Sequence, residues 1–371
     1  MAEAVAAAPT SQVVDRSAGR AARVRAVLHG RRVIYLDTGI WIDLADSKTD
    51  AARSCLAACR QAVEGGIAVF PSSWASVSEL LEQTASDARV RQAAVMDQLS
   101  RGVCFRSAKT IGKLEARNFG FLFLCNLPAR TPRGSLFTDL ADYVGDLKLS
   151  FPPEAPAEFV AAMSELFERR IADLSHADLV SLESFADVIR KGHAGFKGEY
   201  VRRLQERSVE VGSYFRDRSG RLVAQRARKE ELVHVFERML KPHVTSFLES
   251  TLGPRGAGLA TLDFLKRNGK VNVTTLERML TQLAPSACLF AELMATVTTN
   301  PRTPEPQDFW DVEHACVGGA YADAFITRDR ELARKAKEAR VPSSQGCAVL
   351  LGAPALQQHV ESLRADRSAA Q

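Results

Sequence analysis

Four acids stand where they could do chemistry in this chain: Asp37, Glu79, Asp311 and Asp329. Asp37 closes the apolar run that opens 33-VIYLDTGIWIDLAD-46, and Asp329 stands two residues past the run 324-AFIT-327. Short apolar runs of this kind read as buried parallel strands, and ligands of open parallel sheets bind beyond the carboxyl ends of the strands. Both acids are therefore expected at one edge of one sheet. Glu79 lies in the helix predicted after the second strand, and Asp311 opens the helix predicted before 324-AFIT-327, which directs both to the same edge. Four carboxylates in a partly buried place repel one another unless a cation compensates them. Hard oxygen donors with no convergent His or Cys set favour Mg²⁺ or Mn²⁺ over zinc. Such an ion orients a water and stabilises charge on a phosphodiester.

Each acid also has a purely structural use. Asp37 can cap a helix starting at Gly39, and Asp329 can cap 330-RELARKAKEA-339. Glu79 suits a solvated helix face, and the helix dipole favours Asp311 in a first turn. Topology raises the joint case, because it sends all four towards one place.

The elements that must position these acids follow from periodicity. Runs 33-VIYL-36 and 67-IAVF-70 read as strands around the helix 51-AARSCLAACRQAVEGG-66, giving a β-α-β unit and a parallel sheet. Helices 74–85 and 87–100 lead to a third strand, 103-VCF-105. Residues 108–284 carry long helical patterns, such as 158–174 and 230–248, and no strand alternation. Then 309–321 reads as a helix, 324–327 as a strand, 330–339 as a helix and 347–351 as a strand before a final helix to about residue 365. The expected organisation is an α/β core built from residues 31–107 and 285–371, an all-α insertion at 108–284, and a disordered basic arm at 1–30 that weakly resembles an organellar transit peptide.

With 46% apolar and 25% charged residues, the composition is that of a soluble globular chain, and no apolar run approaches bilayer length. The seven cysteines show no metal-binding spacing and read as free thiols of a reducing cytosol.

The pattern 34-IYLDTGIWIDL-44, 77-VSELLE-82 and 311-DVEHACVGGAYADAFITRDRELA-333 resembles the PIN-domain nucleases. Their motifs are an Asp after the first strand, a Glu on a helix, an Asp opening a later helix, and a strand ending in Thr-x-Asp. Asp37, Glu79, Asp311 and Asp329 match these four acids, with Thr38 and Thr327 beside them. The last segment is also similar to a bacterial PIN-like subgroup through Asp308, Asp311, His314, Tyr321 and Asp323. On this resemblance Asp323 assists at the metal, while Asp308 and His314 support the acids. Asp308 also suits a helix cap and His314 a packing position against the sheet. The resemblance implies a PIN-like parallel sheet flanked by helices and a Mg²⁺- or Mn²⁺-dependent endonuclease, foremost a ribonuclease, leaving a 5′-phosphate. The alternatives are a structure-specific DNA nuclease and a non-catalytic scaffold whose insertion binds a partner protein or an antitoxin. The resemblance does not cover residues 108–284.

Net charge is +5, and residues 202–229 hold nine Arg/Lys against three acids. Arg202, Arg203, Arg207, Arg218, Arg221, Arg226 and Arg228 are the candidate RNA contacts, with a solvated helix face as the equal alternative.

Overall fold

In a computed structural model, the structure describes residues 11–126, 128–140, 174–209 with gaps, 220–268, 272–299 and 305–369. The first part runs α1 (Ser11–Leu28), β1 (Arg32–Leu36), α2 (Thr38–Asp46), α3 (Asp50–Glu64), β2 (Ala68–Val69), α4 (Trp74–Glu82), α5 (Ser86–Ser100), β3 (Val103–Phe105), α6 (Ala108–Cys125) and β4 (Phe137–Asp139). The middle holds α7 (His176–Val180), α8 (Gly220–Val235), a π-helical turn (Phe236–Leu240), α9 (Lys241–Asn268), α10 (Val273–Leu283) and α11 (Pro285–Thr299). The last part is α12 (Pro306–Tyr321), β5 (Ala324–Thr327), α13 (Arg330–Glu338), α14 (Arg340–Gln345), β6 (Ala348–Leu351) and α15 (Gly352–Ala369).

Strands β2, β1, β5 and β6 form one parallel sheet in that order, so its two central strands come from opposite ends of the chain. Backbone bonds between Ser72 and the β3 strand join this sheet to the antiparallel pair β3–β4, with Ser72 N donating to Val103 O at 3.2 Å and Phe105 N to Ser72 O at 2.9 Å. Strand β1 is buried on both faces, as its unbroken apolar run requires. Its side chains alternate between two cores. Val33 and Tyr35 join Val69, Phe105 and Phe325 in one; Ile34 and Leu36 join Phe70, Ala324 and Ile326 in the other. Helices α3, α5 and α15 cover the second face, while residues of α6 and α8 to α12 fill the first. Much of the expected insertion is thus one wall of the sheet's own core.

Three expectations change. Residues 11–28, read as part of a disordered arm, form α1, whose Val24 is buried and whose Arg23 pairs with the buried Asp139 of β4. The insertion is not all-helical, because Phe137–Asp139 pairs with Val103–Phe105. A strand of three residues carries too little alternation to be legible; its partner makes it. Asp311 does not open its helix. A capping box between Glu305 and Asp308 starts α12 at Pro306, so Asp311 lies a turn further in. Residues 158–173 of the helix pattern at 158–174 lie outside the described residues.

Close approach of α12 to the sheet is what lowers Asp311 and His314 towards the strand ends. A Cβ on Gly318 would come within 2.5 Å of Tyr35 Cδ1 and 2.8 Å of Phe325 Cδ2, so only glycine fits there.

Candidate active site

At the carboxyl ends of β1 and β5 lies a cleft of about 480 Å³, lined by Asp37, Thr38, Glu79, Gln307, Asp311, His314, Arg328 and Asp329 among others. All four sequence-predicted acids reach it.

Asp37 follows β1 directly, its N–H donating to Ile326 O at 3.0 Å, and it caps α2 by accepting from Ile40 N at Oδ1 over 2.9 Å. The expected cap is present at Asp37, on a helix that starts at Thr38, one residue earlier than the expected Gly39. Asp329 caps α13 in the same manner, accepting from Leu332 N at Oδ1 over 2.9 Å, while its own N–H donates to Thr327 Oγ1 at 2.9 Å. Capping and ligation are compatible, since each cap engages one oxygen of a carboxylate that has two.

Glu79 is held by a buried network. His314 Nε2 lies 2.6 Å from Glu79 Oε2, Thr38 Oγ1 donates to the same oxygen, and Gln307 Nε2 donates to Oε1 at 3.0 Å. On the other side of the ring, His314 Nδ1 lies 2.7 Å from Tyr35 OH, which lies 2.6 Å from Ser73 Oγ. A doubly protonated imidazole satisfies every member: it donates to Glu79 and to the Tyr35 oxygen, leaving the phenol to donate to Ser73. Burial would raise the Glu79 carboxyl, but the His314 charge and the three hydrogen bonds hold it down at about 2. Burial would lower His314; Tyr35, Glu79 and Asp37 instead raise it well above its usual value.

Asp311 is less well served. Among the described residues its one hydrogen bond comes from Gln307, whose Nε2 donates to Oδ1 over 3.4 Å. Burial, followed by the Asp329 charge, pushes it up to about 7. Asp37 is also raised, chiefly by burial, against the lowering effect of Thr327 and His314. The cleft therefore concentrates more negative charge than His314 alone relieves.

The remaining sequence candidates part company here. Asp308 is buried and accepts from Glu305 N at 2.7 Å as the reciprocal arm of the capping box. Thr327 is fully buried beside Asp37 and Asp329. Asp323, expected at the metal, stands at the amino end of β5, where it accepts from Val33 N at 2.6 Å and pairs with Arg133 and Arg32. It precedes the strand instead of following it, and the sheet separates it from the cleft. Tyr35, Ser73, Gln307 and Arg328 were not singled out from the sequence. Tyr35 carried a signal, as a phenol inside a buried strand must find a partner. So did Gln307, one helical turn before Asp311.

The basic run supplies no free guanidinium stripe among its described side chains. Arg202 and Arg203 pair with Glu199, Arg202 also with Glu206, and Arg226 with Glu230 on their own helices. Arg228 is placed between helices, bound to Glu277 at 2.9 Å and to the buried Glu292, and is a packing residue instead of an RNA contact. Arg207 and Arg218, and the side chain of Arg221, lie outside the described residues.

A second constellation has catalytic outline but no access. His176 Nε2 lies 2.7 Å from Ser72 Oγ, and its Nδ1 lies 2.6 Å from Asp97 Oδ1. Ser72 and His176 are fully buried, and Asp97 also accepts from the backbone N–H groups of His176 and Ala177. Its work is to fasten α7 to α5.

The donor chemistry of the cleft fits a hard divalent cation: carboxylates from two strand ends and two helices, with Asp311 short of partners. As the side chains stand, no three His, Cys, Asp or Glu groups among the described residues form a ready ligand cluster. Among those residues no helix is long and apolar enough to cross a membrane. Comparison with protein-family models, curated proteins and solved structures gave no match.

Proposed function

We propose that this protein is a divalent-metal-dependent nuclease with a PIN-like core, acting on RNA. The observation that carries the reading is the convergence of Asp37, Glu79, Asp311 and Asp329 on one cleft at the carboxyl ends of β1 and β5. Asp37, Asp311 and Asp329 would hold Mg²⁺ or Mn²⁺, with Glu79 beside them. The bound cation would lower the pKa of a water and stabilise charge on the phosphodiester. The chain's own groups do the rest. His314, Thr38 and Gln307 hold Glu79 ionised and fixed in orientation. The caps at Asp37 and Asp329 fix those carboxylates to rigid elements. Asp311, raised to about 7, would be the acid to give up a proton when binding a cation.

The test is cleavage of labelled single-stranded RNA, duplex RNA and single-stranded DNA by the purified protein with Mg²⁺, with Mn²⁺ and with chelator. Metal-dependent cleavage abolished by Asp37→Asn supports the reading and ranks the substrates. Equal cleavage by wild type and Asp37→Asn sinks it.

A further inference from the structure

The turns leading into β1, β2 and β3 gather at the amino ends of the strands, on the far side of the sheet from the acidic cleft. Each contains left-handed backbone: Gly30 (φ 68°), Gly66 (φ 66°), and the adjacent Arg101 (φ 55°) and Gly102 (φ 74°). Arg31 follows the first of these and reaches over the second. Its Nε and Nη2 each lie 3.8 Å from the point a Cβ on Gly66 would occupy. Arg367, near the end of α15, places Nη1 3.7 Å from the same point and donates from it to Gly66 O at 2.7 Å. Two guanidinium groups thus flank one small volume, which a side chain at position 66 would fill.

Arg101 is the third member. Partial burial, then the Arg101 and Arg367 charges, hold the Arg31 guanidinium below its ordinary value. Among the described residues none of the three is in an ion pair. Nearby arginines on the same side are neutralised, Arg23 by Asp139 and Arg133 by Asp323. Arg101 also sits where glycine or asparagine would cap α5 with less backbone strain, so the side chain is carried there at a conformational cost.

We propose that Arg31, Arg101 and Arg367 form a phosphate-binding site at the amino end of the sheet. Guanidinium forks stay charged and match the oxygens of a phosphate two at a time, and an anion between them would relieve their mutual repulsion. The phosphate has two possible sources, the backbone of a nucleic acid or a free phosphate ion. Only the first rests on the function proposed above.

The test compares the full chain with the Arg101→Gly/Arg367→Ala double variant, both with chelator present so that cleavage plays no part. Inorganic phosphate is titrated by calorimetry, and a short labelled single-stranded RNA by fluorescence anisotropy over a range of salt. The variant is expected to bind at least one probe about tenfold more weakly. If RNA is the source, its slope of log affinity against log salt falls by about 1.4, the value for two lost contacts on a single strand. Loss for both probes assigns a free-phosphate site; loss for RNA alone assigns the nucleic-acid backbone. Glycine suits the left-handed position and Arg367 is exposed, so the variant's Tm should equal or exceed that of wild type. An Arg278→Ala/Arg334→Ala control removes two exposed arginines elsewhere and should bind as wild type does. Unchanged binding by the double variant, equal loss in the control, or no binding of either probe to wild type would overturn the site. A protein that binds here yet never cleaves RNA would remove the nuclease reading and leave this one standing.

Discussion

The two ends of the parallel sheet carry opposite charge excesses. At the carboxyl end, Asp37, Glu79, Asp311 and Asp329 share one cleft with the His314 imidazolium and with Arg328, which pairs with Asp43, and Asp311 is driven up to about 7. At the amino end, Arg31, Arg101 and Arg367 share one turn cluster, in no ion pair among the described residues, and Arg31 is driven down. Asp323 at that same end shows the ordinary alternative, an acid paired with Arg32 and Arg133. Like charges left facing one another are unfavourable, so each end is suited to a ligand of the opposite sign. The acidic end also has what the arginine end lacks: a buried hydrogen-bonded support, from His314 through Tyr35 to Ser73.

That support is the first place to break the comparison. His314→Ala would leave Glu79 without its charge partner and the buried Tyr35 phenol with Ser73 alone, and should destabilise the protein by about 3–5 kcal/mol in chemical denaturation. A cost below about 1 kcal/mol would mean the network does not hold Glu79. Next in size is Gly318→Ala, which forces a Cβ against Tyr35 and Phe325. It should cost about 1–3 kcal/mol and shift the position of Asp311 and His314.

Asp311 gives the pH dependence. Unfolded, its carboxyl titrates near the ordinary 3.8; folded, near 7. Between those values the folded chain binds the extra proton, so its contribution to stability falls as pH rises from about 4 to about 7 and is constant above. Asp311→Asn removes this slope. Without divalent metal its Tm should exceed wild type at pH 8 by about 2 °C or more, with the gap closing towards pH 4. A wild-type gap that widens on acidification would contradict the burial of an uncompensated Asp311. Asp37→Asn separates chemistry from fold, since asparagine caps a helix as well as aspartate does. Activity should drop about 100-fold or more while stability stays level or rises. Smallest is Ser73→Ala, which loses the α4 cap and the last member of the His314 chain, at about 1 kcal/mol by thermal or chemical denaturation.

Much of this site was legible because strand ends and acids coincide in the sequence. Strand β5 spans the four residues its apolar run marks; Asp37 follows β1 directly and Asp329 stands two residues past β5. Asp323 misled because it precedes β5: an acid before a parallel strand faces the opposite edge from one after it. The arm at 11–28 misled because alanine and arginine give no apolar stripe, and what orders α1 is packing at Val24 and the Arg23 pair with Asp139. Strand β4 and the Ser72–His176–Asp97 network depend on partners far along the chain, which no local pattern announces. The arginine cluster was hidden for the same reason, as its three members come from three separate turns and helix ends.

The most direct measurement is calorimetric titration of Mg²⁺ and Mn²⁺ into wild type and an Asp37→Asn/Asp329→Asn double variant at pH 6 in buffers of different ionisation enthalpy. The expected result is saturable binding by wild type with proton release from Asp311, weakened about 100-fold or more in the variant. No saturable binding by folded wild type, or equal binding by both proteins, would contradict a metal site in this cleft.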